Sequence, residues 1–454
     1  MPAPNLQQQI TEVPLEIAGG NKFGRYNKIS DAQTYNMLVS DGWLVDYAGY
    51  KNIVENLSLP DLPGRAIYFS SPGNLLICVW GSEVFKINQN SITKVFSATF
   101  IGNLVTNSGD VFVAENNNGQ IAITDLSQIY VYNFLDSTFN TSALPGGTIT
   151  TPFTNPGSPG YISFQAGLLI VADVNTNAWY LSGYNDALTW TADPNSVGSF
   201  QIKPDRVQAC VPLPGAGNVL MVMGHNGVEQ WQFTAAVLFP YQRASTFNID
   251  YGCLNASSIA SLDNYIVWLS ANEQSGATLM VFQGGHAESI TTDGMDFKLS
   301  DLTNPSNCTG FLFRQDGHLI YQFTFPDDNL SYIYDFETKL FFTVTDENQN
   351  YHIARNVVFF NNEYYFVSLK GGFLYQFGTQ YSSLQYAGDN IQQMPRIRIT
   401  PPFRLPTQRY FIVKSLGFTI EQGLPNIITT TISPLLQFIF LSANDGTLIT
   451  TNDG

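Results

Sequence analysis

The hydrophobic positions of this chain fall into short runs divided by Gly, Asn, Asp and Pro. Runs at 75–80, 121–124, 129–134, 168–172, 219–223, 265–269 and 364–369 are too short for typical helices and rich in β-branched or aromatic residues. No stretch carries a convincing helical period, which predicts an all-β chain. Several runs share a two-strand layout: an apolar strand, a small Gly or Asn turn, then a strand bearing aromatics. Runs 75–80 and 84–87 meet across Gly81-Ser82, 219–223 and 228–233 across His225-Asn226-Gly227, and 364–369 and 373–377 across Lys370-Gly371-Gly372. The pairs 168–172 with 178–181 and 265–270 with 278–282 follow the same plan.

The fullest unit is Asp316 to Val344, DGHLIYQFTFPDDNLSYIYDFETKLFFTV. Its runs at 318–325 and 331–336 are divided by Pro326-Asp327-Asp328-Asn329, where proline fixes φ and the Asp and Asn side chains satisfy local backbone groups. A third run at 340–344 completes a meander, the building plan of a propeller blade. Units start near 75, 168, 219, 265, 318 and 364, and the last four steps of 51, 46, 53 and 46 residues suit the ~40–50 residues of a blade. The wide first interval predicts one more blade at roughly 101–136 and a loop excursion at 136–160, rich in Thr, Gly and Pro. The expected organisation is an N-terminal arm over 1–44, a β-propeller of six or seven blades over 45–380, and a small C-terminal β module over 381–454. The module is marked off by Pro395, Pro401-Pro402 and Pro406, with a new strand set after them.

Composition narrows the function. Charged residues are 12% of the chain, about half the usual share. A formal charge of −16 argues against a duplex-binding protein held by phosphate contacts, though not against one that surrounds DNA. The N-terminus has no basic-then-apolar signal, and no run of 18 apolar residues exists, so a soluble chain without membrane insertion is expected. Cys78, Cys210, Cys253 and Cys308 are far apart with no CxxC pair. Buried free thiols are expected, as in a protein assembled in a reducing cytoplasm.

Candidate chemistry is sparse. Asp173, Asn175 and Asn177 alternate like a calcium loop but lack its Gly and distal Glu, and are read as a hairpin turn. His225, His286, His318 and His352 are dispersed without zinc-ligand spacing. Asp327-Asp328 is a tight acidic pair beside aromatics, read as a turn. Ser442 to Thr447 resembles the Asp-box turn of sialidase-like propellers, which is structural. Arg396, Arg398, Arg404, Arg409 and Lys414 form the densest basic run and are read as solvent-facing strand positions. No catalytic, cofactor or metal residue is assigned, and no interface residue is named.

An ordered series of residues resembles the packaged-DNA stabilisation proteins of short-tailed phages, the tail-hub or nozzle family. It comprises Tyr35-Asn36-Met37-Leu38, Gly42-Trp43-Leu44 and Ala48-Gly49-Tyr50, then Lys203-Pro204-Asp205 and Tyr251-Gly252-Cys253. Val267-Trp268-Leu269, Phe282-Gln283-Gly284-Gly285, and Gly317, His318, Phe325, Pro326, Tyr334 and Asp335 continue it, and Asp445-Gly446 ends it. The resemblance implies a ring of six copies below the portal and its adaptor ring. That ring would close the DNA exit, retain the packaged genome, carry tailspikes or fibres and adjoin a tail needle or plug. DNA would pass without sequence-specific contacts, and the protein would be a non-enzymatic component of the virion tail, assembled in the host cytoplasm, without cofactors. Family members usually continue past the last hairpin with a basic strand, so the C-terminal module is expected to be shortened or completed by a neighbour. The alternative is a propeller that binds or hydrolyses glycans, which would need carboxylates and arginines converging at the axial pocket.

Overall fold

The computed structural model describes residues 17–25, 31–53, 59–141, 158–191, 193–271, 276–386 and 390–401. They form seven four-stranded antiparallel blades in a ring. Blade 1 spans 64–103, blade 2 112–141, blade 3 159–199, blade 4 207–249, blade 5 260–289 and blade 6 309–343. Blade 7 takes three strands from 354–378 and its fourth, Gly49–Asn52, from near the N-terminus, paired antiparallel to Leu374–Gly378.

Each recurrent run seen in the sequence is the second strand of a blade, and its follower is the third. These strands are apolar almost without alternation because neighbouring blades cover both faces. Leu75–Trp80 is buried at every position. Leu76, Cys78 and Trp80 face blade 7, while Leu75, Ile77 and Val79 face blade 2. The core is accordingly seven separate clusters, one at each junction between adjacent blades. Turn chemistry fixes the hairpins: Asp316 (φ 48°) and Gly317 (φ 90°) form the two-residue turn that places Gln315 opposite His318. With four antiparallel strands per blade, the chain returns to the end where it began. The turns between first and second strands, and between third and fourth, therefore lie on one face of the ring.

Blade 2 starts and ends later than the sequence suggests, and its outer strand Thr138–Thr141 falls inside the expected loop excursion. A short helix, Asp293–Ser300, interrupts the all-β reading between blades 5 and 6. Thr292 caps it by accepting from the Met295 amide, and eight residues are too few to show a period. The expected arm and module behave unlike appendages where they are described. Gln33–Tyr35 lies parallel to blade 6's Leu340–Thr343, and Ile397–Ile399 adds antiparallel outside it. Ser383–Gln385 and Ile391–Gln393 extend blade 7 beyond Gly49–Asn52. Both ends of the described chain are thus sheet strands of blades 6 and 7. The module from residue 402 onward, with Arg404, Arg409, Lys414 and the Asp-box-like turn, lies outside the described residues.

Candidate functional site

The inner strands surround an axial cavity of about 240 Å³, lined by side chains that include Tyr68, Phe112, Tyr161, Ser257, Ser261 and Arg355. Arg355 is the charged residue of the lining, and its guanidinium is bound to Asp110 at 2.7 Å. Beside it, Arg65 is buried and saturated: it donates to the carbonyls of Gly81, Thr106, Ser108 and Gly109 and to the Thr106 hydroxyl, at 2.7–2.9 Å. Burial pushes the Asp125 carboxyl up, but hydrogen bonds from Ser127 and Thr106 outweigh it and hold the group below the usual carboxylate range. These ions are committed to bracing the 104–110 loop. The lining holds no carboxylate pair of the kind that cleaves a glycosidic bond.

Among the described residues, a dense set of polar contacts lies where the two end segments meet blades 6 and 7. Asn36, fully buried at φ 54°, donates to the Thr345 hydroxyl (2.9 Å) and the Pro395 carbonyl (2.8 Å) and accepts from the Thr345 amide (2.8 Å). Gln315 accepts from the Ala48 amide and donates to the Asp46 carbonyl. The Tyr47 hydroxyl donates to Gln322, whose amide donates to His352 Nδ1 at 3.1 Å. Burial drives the His352 pKa down to about 3, so the ring is neutral, and its Nδ1 also accepts from the Ala354 amide. Its Nε2 therefore carries the proton, and no hydrogen-bond acceptor among the described residues meets it; the rings of Tyr47, Tyr50, Phe366 and Phe377 surround His352. Tyr50 meets the Tyr386 hydroxyl at 2.8 Å, and Tyr386 donates to Glu347.

Ser40, His318 and Asp335 stand in a row with the spacing of a hydrolytic triad. His318 Nδ1 is 2.8 Å from Asp335 Oδ2, and its Nε2 is 3.2 Å from Ser40 Oγ. Asp335, however, also accepts from the Glu337 amide and the Thr338 hydroxyl, closing its own turn. Neither the axial cavity nor the 340 Å³ cavity beside the helix includes any of the three. The row clasps the Met37–Asp46 hairpin to blade 6, which explains the Gly-His and Tyr-Asp of the motif.

Other residues singled out from sequence serve locally. Asp173 accepts from the Ser158 and Asn175 amides, and Asp328 from the Thr303 amide, so both acidic clusters are turns. All four cysteines are buried free thiols. Arg396 is a partly exposed counter-charge to Asp46, as expected, whereas Arg398 is turned inward and donates to the Ile17 and Gly20 carbonyls and the Thr34 hydroxyl. Asn36, Gln315 and Gln322 went unrecognised because isolated amides carry no spacing signal. An asparagine leading into an apolar strand was the one available hint.

Among solved structures, the chain is similar to the N-terminal domain of Nup159 (11% identity, TM-score 0.43, covering 76% of this chain and 99% of that one). It is also similar to an ancestral GH74 enzyme (12%, 0.45, 76% and 50%) and to the extracellular domain of a one component system from B. thetaiotaomicron (12%, 0.45, 72% and 39%). No curated protein matches it in sequence. The family model described as "Bacteriophage P22 Gp10, beta-propeller" matches residues 30–382, from the first edge strand through blade 7. The chain belongs to this phage stabilisation family, and is a phage structural protein built as a seven-bladed β-propeller.

Proposed function

We propose that the protein is a tail hub, or nozzle, component: a ring of copies, six in the assembled tail, that closes the DNA exit below the portal and adaptor. The family match over residues 30–382 carries this reading. The structure supports two of its physical requirements. The axial cavity of about 240 Å³ is closed in by side chains of the inner strands, which suits a DNA channel running between copies rather than through one. A chain with a formal charge of −16 makes few phosphate contacts, which suits a wall along which DNA slides. The adaptor ring above, tailspikes or fibres at the side and a needle or plug below are the proposed neighbours. No catalysis is assigned to it. The glycan-acting alternative gains nothing from an axial lining whose charged residue is already paired.

The test is deletion in the phage. Particles lacking the protein should package DNA and then lose it, and the protein should be found in purified virions. Particles that keep their DNA and lose only a glycan-cleaving activity would overturn the reading.

A further inference from the structure

Arg355 has more hydrogen bonds to give than the protein takes. It stands in the first strand of blade 7, Ala354–Phe360, and lines the axial cavity. Its side chain is 12% exposed and ends in a fork of N–H donors that cannot accept. Nη2 donates to Asp110, and the other N–H groups meet no acceptor among the described residues. Neither Nε nor Nη1 is sealed from solvent. Asp110 is not a lining residue, so the ion pair occupies one part of the guanidinium and leaves the rest to the cavity. A largely buried donor left unmet costs free energy, so water or a ligand fills such groups.

The rest of the lining has the same bias. None of its residues is acidic, in a chain with 36 Asp and Glu. The hydroxyls of Tyr68, Tyr161, Ser257 and Ser261 and the Asn356 amide make no hydrogen bond within the described residues. Phe112, its ring centroid 5.3 Å from that of Tyr161, adds an aromatic wall. A water molecule must donate as well as accept, whereas an oxyanion only accepts. A cavity of hydroxyls around a donor-only fork, with no carboxylate in its wall, suits the oxyanion better.

We propose that the axial cavity binds a small organic carboxylate, its oxygens on the Arg355 fork and its short body against the Phe112 and Tyr161 rings. The planar guanidinium matches a carboxylate through two parallel hydrogen bonds. Charge favours a carboxylate over a phosphate dianion. Asp110 already offsets Arg355 and Asp125 offsets the neighbouring Arg65, so little positive charge is left to hold a second negative one. The inference stands apart from the ring reading and survives its failure.

Calorimetric titration of the full-length chain tests it, with benzoate and acetate as probes and uncharged benzamide as the control. Benzoate should bind with a Kd of about 1 mM or tighter, and benzamide should not bind. Arg355→Lys keeps the charge but loses the fork, and should weaken benzoate by roughly tenfold. Asp110→Asn removes the carboxylate that competes for the same guanidinium, and should tighten benzoate by about threefold. A pair that serves only to brace its loop would give no such gain. Heat from neither carboxylate, benzamide binding as well as benzoate, unchanged affinity in a folded Arg355→Lys chain, or no tightening in Asp110→Asn would each overturn the site. Should melting curves show that Arg355→Lys does not fold, the wild-type preference for benzoate and the Asp110→Asn titration still decide.

Discussion

Blades 2 and 7 have the same four-stranded plan and opposite origins. Blade 2 is built from consecutive strands joined by tight turns, within residues 112–141. Blade 7 borrows its fourth strand from the start of the chain, and Tyr50 on that strand meets Tyr386, 336 residues away. In blade 2, pairing follows from neighbouring sequence. In blade 7 it must be specified by side chains: Tyr50 seats among Phe366, Tyr375 and Tyr386, and the amides of Gln315 and Gln322 tie the neighbouring Asp46 to Ala48 stretch to blade 6. Closure therefore depends on a few dense contacts, whereas a local blade spreads its stability over its turns.

The largest expected break of this comparison is Tyr50→Ala. Tyr50 is fully buried among His352, Phe366, Tyr375 and Tyr386, so truncation should cost about 3–5 kcal/mol in urea unfolding. Tyr132→Ala in blade 2 removes a comparable ring. Amide exchange should separate the two: Tyr50→Ala should speed exchange across blades 6 and 7 and the described end segments together, and Tyr132→Ala only at the junction of blades 1 and 2. Equal, local patterns would mean closure is no weaker point than any other junction.

Acid should act on the same seam. The folded His352 pKa of about 3 lies below its ordinary 6.5, because burial disfavours the cation. Above pH 6.5 the ring is neutral in both states and contributes no pH dependence. Between 6.5 and 3 the unfolded chain takes up a proton that the folded chain does not, so stability falls as pH drops, by about 1.4 kcal/mol per unit. Urea midpoints from pH 7 to 4 should show this slope, and His352→Gln should flatten it.

Smaller effects sharpen the contrast. Asn36→Ala leaves the buried Thr345 amide without its acceptor and should cost about 2–3 kcal/mol. Asn116→Ala, which removes acceptors for the Asn118 and Gln120 amides in a blade 2 turn, should cost about 1 kcal/mol. If thermal unfolding ranks them the other way, closure is not the amide-dependent step. V237D/L238D, on an exposed turn, should stay within about 0.5 kcal/mol of wild type.

What could be read from sequence follows the same divide. Second and third strands are covered on both faces, so Leu75–Trp80 and its counterparts stand out as unbroken apolar runs. Outer strands have weaker patterns, which is why Thr138–Thr141 was absorbed into a loop. Gly49–Asn52 reads Gly-Tyr-Lys-Asn, with no run at all, because its partners are supplied from the far end of the chain. Arg398 reads as a surface charge for the same reason: the carbonyls it binds, on Ile17 and Gly20, lie more than 370 residues away.

The borrowed strand also sets a clock. A ribosome adding roughly 5–20 residues per second needs about 17–67 s to travel from Tyr50 to Tyr386. Throughout that interval Tyr47 and Tyr50 have been made and their seat has not. The first six blades can fold as they emerge, while the segment before them must stay uncommitted and avoid the open edge of a blade on a neighbouring nascent chain. Two chains made on one messenger could exchange these segments, each closing the other's ring. The amides of Asn36, Gln315 and Gln322 find these partners only once blades 6 and 7 are complete.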